Sequence, residues 1–151
     1  NTLSPAMFKY FDTKRADLNA PSIRPVIVFR LAETYLLAAE AAFMMGNTAD
    51  AVTYINVVRQ RAASTGNAAN MNITATDLSI DFILDERSRE LCGEIVRWWD
   101  LVRTGKLIDR VKLHNKESAP NIVARHILRP IPQAQIDAVT TGDPYPQNPG
   151  W

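Results

Sequence analysis

Apolar and polar positions divide this chain into two helix-forming blocks joined by small, polar connections. In "RLAETYLLAAEAAFMMGN" the pattern predicts a helix from about Arg30 to Met45, ended by Gly46 in the left-handed conformation. Its polar residues are few, so most of its circumference is expected to be covered by other elements. Asn47 or Thr48 can cap the next helix, in which Ala51, Val52, Ile55, Val58 and Ala62 recur at intervals of three and four. So short a turn forces the two helices antiparallel, which makes them a helical hairpin. A lone hairpin does not bury its own apolar faces, and no second copy recurs at a regular period of about 34 residues.

The second block begins after "STGNAANMNITATD", residues 64–77, which reads as a loop. Ser79 can cap a helix whose Ile80, Ile83, Leu84, Arg87 and Leu91 share one face. Asp85 and Arg89, four apart, are expected to pair on another side. Gly93 either breaks the helix or allows close backbone approach, after which Ile95, Trp98 or Trp99, and Val102 continue a face, and Gly105 supplies the stop. "RVKLHNKESAPN" reads as a charged loop, "IVARHILRPIP" as a short extended strand, and Pro132 as the start of a brief helix through Ile136 to Val139. The tail "TTGDPYPQNPGW" holds three prolines and excludes regular structure, so it is either held by packing of Tyr145 and Trp151 or loose. From Asn1 to Pro25, Pro5, Pro21 and Pro25 prevent a long helix and leave an irregular lead-in. The expectation is a mostly α-helical single domain over residues 1–151, a tetratricopeptide-like hairpin plus further packed helices, between a Pro-rich lead-in and a Pro-rich tail.

Composition narrows the function more than the fold. The 151 residues carry 17 basic and 16 acidic side chains for a net charge of +1, which points to neither nucleic acid nor an anionic membrane. No apolar run approaches the 18 residues or so of a membrane span. The chain opens "NTLSPAMFKYFD", as a processed protein or a fragment would. The one cysteine, Cys92, falls in a helical pattern that suits a small buried residue and has no neighbouring histidine to activate it.

Several residues invite a chemical reading. Asp85, Glu86, Glu90 and Glu94 suggest paired carboxylates of a glycoside hydrolase, but Arg87, Arg89, Arg97 and Arg103 share the segment and favour ion pairing. His114 and His126 lack a third ligand at a recognisable spacing, so no metal or other cofactor is expected. No nucleophile elbow, phosphate loop or dinucleotide fingerprint occurs. Asn72-Ile73-Thr74 matches a glycosylation acceptor, a short pattern that is frequent by chance. Trp98 and Trp99 offer aromatic faces to a sugar. Adjacent helical residues point about 100° apart, however, so the two rings do not make one flat platform and at least one is expected to pack inward.

The order of five stretches is informative: "RLAETYLLAAEA", "AVTYINVVRQRA", "ILDERSRELCGEIVRWWDLVRTGKL", "LRPIPQAQID" and "QNPGW". From about Phe8 to Trp151 the chain resembles the carboxy-terminal part of the SusD/RagB family, surface-exposed outer-membrane glycan-binding lipoproteins of Bacteroidetes. The resemblance implies a mostly α-helical fold with tetratricopeptide-like hairpins and a lipid anchor upstream, for which Cys92 is not the attachment point. It implies a non-catalytic role in glycan uptake beside a TonB-dependent transporter of the SusC type. It makes the "RWWDLVR" aromatic a structural feature and transfers no sugar-binding residue to this chain, whose ligand-binding residues stay unknown. It also implies a longer parent, so the hairpin of residues 30–64 is expected to expose an apolar face and to promote self-association. The alternative is a generic tetratricopeptide-like protein-interaction module.

Overall fold

The computed structural model describes residues 7–17 and 19–151, in two compact units, residues 1–30 and 31–151. Pro5 lies outside the described residues. In the first unit a single 3-10 turn, Phe8–Tyr10, is followed by irregular chain organised around the Asp12 carboxylate. That carboxylate accepts from the backbone N–H of Lys14 at 2.9 Å, the Ser22 hydroxyl at 2.8 Å and the backbone N–H of Ile23 at 3.2 Å. These bonds, the Lys14 one foremost, hold its pKa below the ordinary carboxylate value. Among its described residues the lead-in is irregular apart from that turn, in keeping with Pro21 and Pro25.

The second unit contains six α-helices: α1 Leu31–Met44, α2 Thr48–Ala62, α3 Ile80–Glu90, α4 Arg97–Arg103, α5 Leu107–His114 and α6 Gln133–Asp137. Local signals fix their ends. Gly46, at φ 79°, lets the N–H of Asn47 reach the Ala42 carbonyl at 2.8 Å and its own N–H reach that of Phe43 at 3.0 Å, which closes α1. Gly105 repeats the arrangement after α4, with Lys106 bonded to Leu101 at 2.8 Å. Side chains of Asn47 and Ser79 cap α2 and α3 by accepting from the N–H groups of Asp50 and Phe82.

Helices α1 and α2 form the expected antiparallel hairpin, α3 packs on α1, and α4 and α5 follow in turn. One apolar cluster joins Leu36, Ala39, Ile55, Val58, Ile83 and Leu91, with Ile73 from the 64–77 loop. Asn56 fixes that loop by bonding both backbone groups of Ile73, at 2.8 and 3.1 Å. A second cluster joins Leu84, Leu101 and Leu107, with Trp98 and Val111 against it. Ala51, Ile55 and Val58 face inward, while Ala62, expected beside them, is exposed at the end of α2. Leu31, Leu37 and Met44 of α1, and Met45 just after it, are also exposed, where the sparse polar residues led to an expectation of cover.

Two expectations fail in the last third of the chain. "RVKLH" continues a helix, α5, because Leu107 and Val111 stand four apart on the second cluster while Arg110 lies buried beside them. "IVARHILRPIP" is no strand: Ala124–Ile127 is a 3-10 turn, and the extended residues after it have no neighbouring strand among the described residues. A lone strand leaves its backbone groups unpaired. Here the tail supplies partners, with the Gln147 amide bonding both backbone groups of Ile131 at 2.8 and 2.9 Å and Asn148 donating to the Arg129 carbonyl at 2.7 Å.

Candidate functional site

Charged side chains from α1, α3 and α4 meet beneath the surface. Arg87, 2% exposed, donates from Nε to Asp100 Oδ2 at 2.7 Å and places Nη2 at 3.6 Å from Glu33 Oε1. Arg103 forks onto the Glu40 carboxylate and also donates to Asp100 Oδ1 at 2.9 Å, so Asp100 bridges two guanidiniums. The Glu40 contact raises the Arg103 pKa above its ordinary value. Removing one member of such a buried set strands a charge and costs about 3–5 kcal/mol, so the set acts as a joint between three helices.

A second set lies along the other side of α3. Glu86 accepts from Arg59 at 2.6 Å and from Arg89 at 2.7 Å, and Glu90 accepts from Arg61. The guanidiniums of Arg59 and Arg89 lie 5.7 and 5.6 Å from the Phe82 ring centre. Asp85 does not take Arg89, as the four-residue spacing suggested. It bonds Arg110, which also donates to Asp81 at 3.0 Å. The reason is burial: the Arg110 side chain is 7% exposed and needs carboxylates, while Arg89, half exposed, turns to nearby Glu86. Asp85, Glu86 and Glu90 are therefore ion-paired, and Glu94 is half-buried in the turn that precedes α4.

The two tryptophans separate by role. Trp98 is half-buried against Leu84, Leu101 and Leu107, whereas Trp99 is 63% exposed. Arg129 from the extended segment lies 5.0 Å from the Trp98 ring centre and 5.9 Å from that of Trp99, so a single cation crosses both rings. Trp151 is held through its indole N–H, which donates to the carbonyls of Leu128 at 2.9 Å and Arg125 at 3.2 Å, and the Arg125 guanidinium covers its ring. The tail is held at Trp151, by hydrogen bonds as much as by packing, and Gln147 and Asn148 do what Tyr145 was expected to do.

Cys92 is exposed in the turn after α3 and is not the packed residue that a continuous helix required, because α3 ends at Glu90. His114 closes α5, and His126 accepts from the Val123 N–H at 3.0 Å through Nδ1 and lies against Trp151. Among the described residues no three His, Cys, Asp or Glu side chains gather as a metal would need. In Asn72-Ile73-Thr74, Ile73 is core, Asn72 accepts from Gln60, and Thr74 bonds Asp77.

The sequence reading missed the joint itself. Its members lie in the stretches "RLAETYLLAAEA", "DERSREL" and "RWWDLVR", and the tail clasp links "LRPIPQ" to "QNPGW". Residues that gave the chain its distinctive sequence are thus the ones that bond one another.

The chain is similar to three proteins of Formosa agariphila: SusD-like protein P25, 40% identical over 73% of this chain; SusD-like protein P38, 39% over 56%; and SusD-like protein P2, 34% over 83%. It spans 21%, 18% and 26% of their respective lengths. Residues 1–151 match the SusD family throughout, and the chain belongs to that family.

Proposed function

We propose that this chain is the helical scaffold of a SusD-like nutrient-binding protein, a non-catalytic outer-membrane lipoprotein component that passes glycans to a TonB-dependent transporter of the SusC type. The observation that carries the reading is the pairing of the conspicuous acidic residues. Asp85, Glu86, Glu90 and Asp100 each hold a guanidinium, and a carboxylate held that way is a poor general acid or nucleophile. No helix among the described residues is long and apolar enough to cross a membrane. The test is co-isolation: the full-length protein, tagged, should bring down a TonB-dependent barrel encoded beside it and bind an oligosaccharide by calorimetry, with no release of reducing sugar. Reducing-sugar release lost on Asp85→Asn or Glu86→Gln would contradict it.

A second reading, a protein-interaction module, draws on the exposed apolar side chains of Leu37 and Met44 on α1 and of Met45 after it. It predicts self-association by sedimentation that Leu37→Glu abolishes, and no adjacent barrel gene.

A further inference from the structure

The cleft between α3, α4 and α5 has a volume of about 380 Å³ and is lined by Asp85, Ser88, Arg97, Leu101, Arg110 and His114, among others. That size falls within the roughly 300–1,000 Å³ typical of small-molecule sites. Its charges do not cancel. Arg87, Arg89, Arg103 and Arg110 each pair with a carboxylate, but among the described residues none pairs with Arg97. Arg97 donates from Nη1 to the Leu84 carbonyl at 2.7 Å, an oxygen that Ser88 also engages at 3.1 Å. The remaining guanidinium donors have no protein acceptor among the described residues.

Burial foremost, then the nearby Arg110 charge, pushes the Arg97 pKa down, and the Asp100 and Asp85 carboxylates offset this only in part because neither forms an ion pair with Arg97. Arg110 offers a second observation: its side chain is 7% exposed, yet its Nε has no hydrogen-bond partner even though both terminal nitrogens hold carboxylates. The lining carries the guanidiniums of Arg97 and Arg110 against the single carboxylate of Asp85, with His114 exposed at the rim. Leu101 and Val111 add an apolar wall.

We infer that this cleft is an oxyanion-binding subsite that takes the carboxylate or sulfate group of an acidic sugar, with Arg97 as its principal donor. The negative group supplies the ion-pair partner that Arg97 lacks among the described residues, and the apolar wall faces the C–H side of the ring. This rests on the glycan-uptake reading for the sugar, though not for the anion.

The test is a titration of the nitrogen-15-labelled chain with galacturonate and glucose 6-sulfate, with galactose, glucose and inorganic sulfate as comparison arms at constant ionic strength. The expected result is a saturable shift of the Arg97 Nε–H resonance with both acidic sugars and none with the neutral ones. Arg97→Gln should weaken binding about tenfold, the loss of a charge-assisted hydrogen bond. His114→Glu, at an exposed position that leaves the fold alone, should weaken it about fivefold through like-charge repulsion. Absence of a saturable shift, or equal binding by Arg97→Gln and the parent sequence, overturns the site. Inorganic sulfate binding as tightly as glucose 6-sulfate overturns the sugar assignment. A full-length protein that takes up neutral glycans while this chain ignores every acidic sugar refutes the subsite and leaves the uptake reading intact. Acidic-sugar binding here, without any barrel partner for the full-length protein, does the opposite.

Discussion

Between α1, α3 and α4 the charges of Glu33, Glu40, Arg87 and Asp100 lie under cover, with each side chain 9% exposed or less. Between α3 and α5 the pattern is mixed: Arg110 is buried, but its partners Asp81 and Asp85 are 50% and 44% exposed. The first region is a joint in which every charge depends on the others, because desolvation is offset only while the set is complete. The second is an edge where water screens each pair and the loss of one is tolerated. The same helix, α3, serves both, with Arg87 facing the joint and Asp81 and Asp85 facing the edge. The lesson is that a charge's role is set by what covers it, and proximity along the helix says little.

Breaking the joint should have the largest effect. Arg87→Ala or Asp100→Asn is expected to destabilise the chain by about 3–5 kcal/mol in urea denaturation, a large share of the roughly 5–15 kcal/mol that holds an ordinary domain folded. Trp98 lies where the joint meets the second apolar cluster, so Trp98→Ala should cost about 2 kcal/mol, below the range for fully buried rings, and Trp99→Ala under about 0.5 kcal/mol. Equal losses at the two positions would erase the distinction between packed and outward ring.

At the edge, Arg110→Gln should cost about 1–2 kcal/mol, and its difference from the parent sequence should shrink in about 1 M salt, where the Debye length is near 3 Å. The Arg87 deficit should hardly change with salt. Asp81 gives the smallest effect: its bond from Lys106 first, with Arg110 contributing, holds its pKa below the ordinary value. A carboxylate depressed in the folded state stabilises above its unfolded pKa near 4, and that contribution disappears as pH falls through the folded value. Asp81→Asn should therefore remove less than about 1 kcal/mol at pH 7 and flatten the acid limb of the stability profile below about pH 4.

Much of the helical frame was legible because its signals are local. Gly46, Asn47, Ser79 and Gly105 each act within a few residues, and the α1–α2 hairpin follows from them. The brief helix after Pro132 also forms, as α6. Charge partners were not legible, since Glu40 meets Arg103 across 63 positions and Asp85 meets Arg110 across 25. Spacing within one helix offered Asp85 a partner in Arg89, but a buried arginine from another helix competes better. The supposed strand failed for a related reason: its alternation was real, but what pairs with Ile131 is a glutamine side chain from the tail. Cys92 was misplaced by a single assumption, that α3 runs on past Glu90.

The claim that the distinctive residues of this chain bond one another is tested most directly by a double-mutant cycle on Arg87 and Asp100. Urea denaturation of Arg87→Met, Asp100→Leu and the double variant should give a coupling of at least about 2 kcal/mol, with the double variant more stable than either single one. Additive losses, with coupling below about 0.5 kcal/mol, would show that the two charges do not depend on each other and would contradict the account.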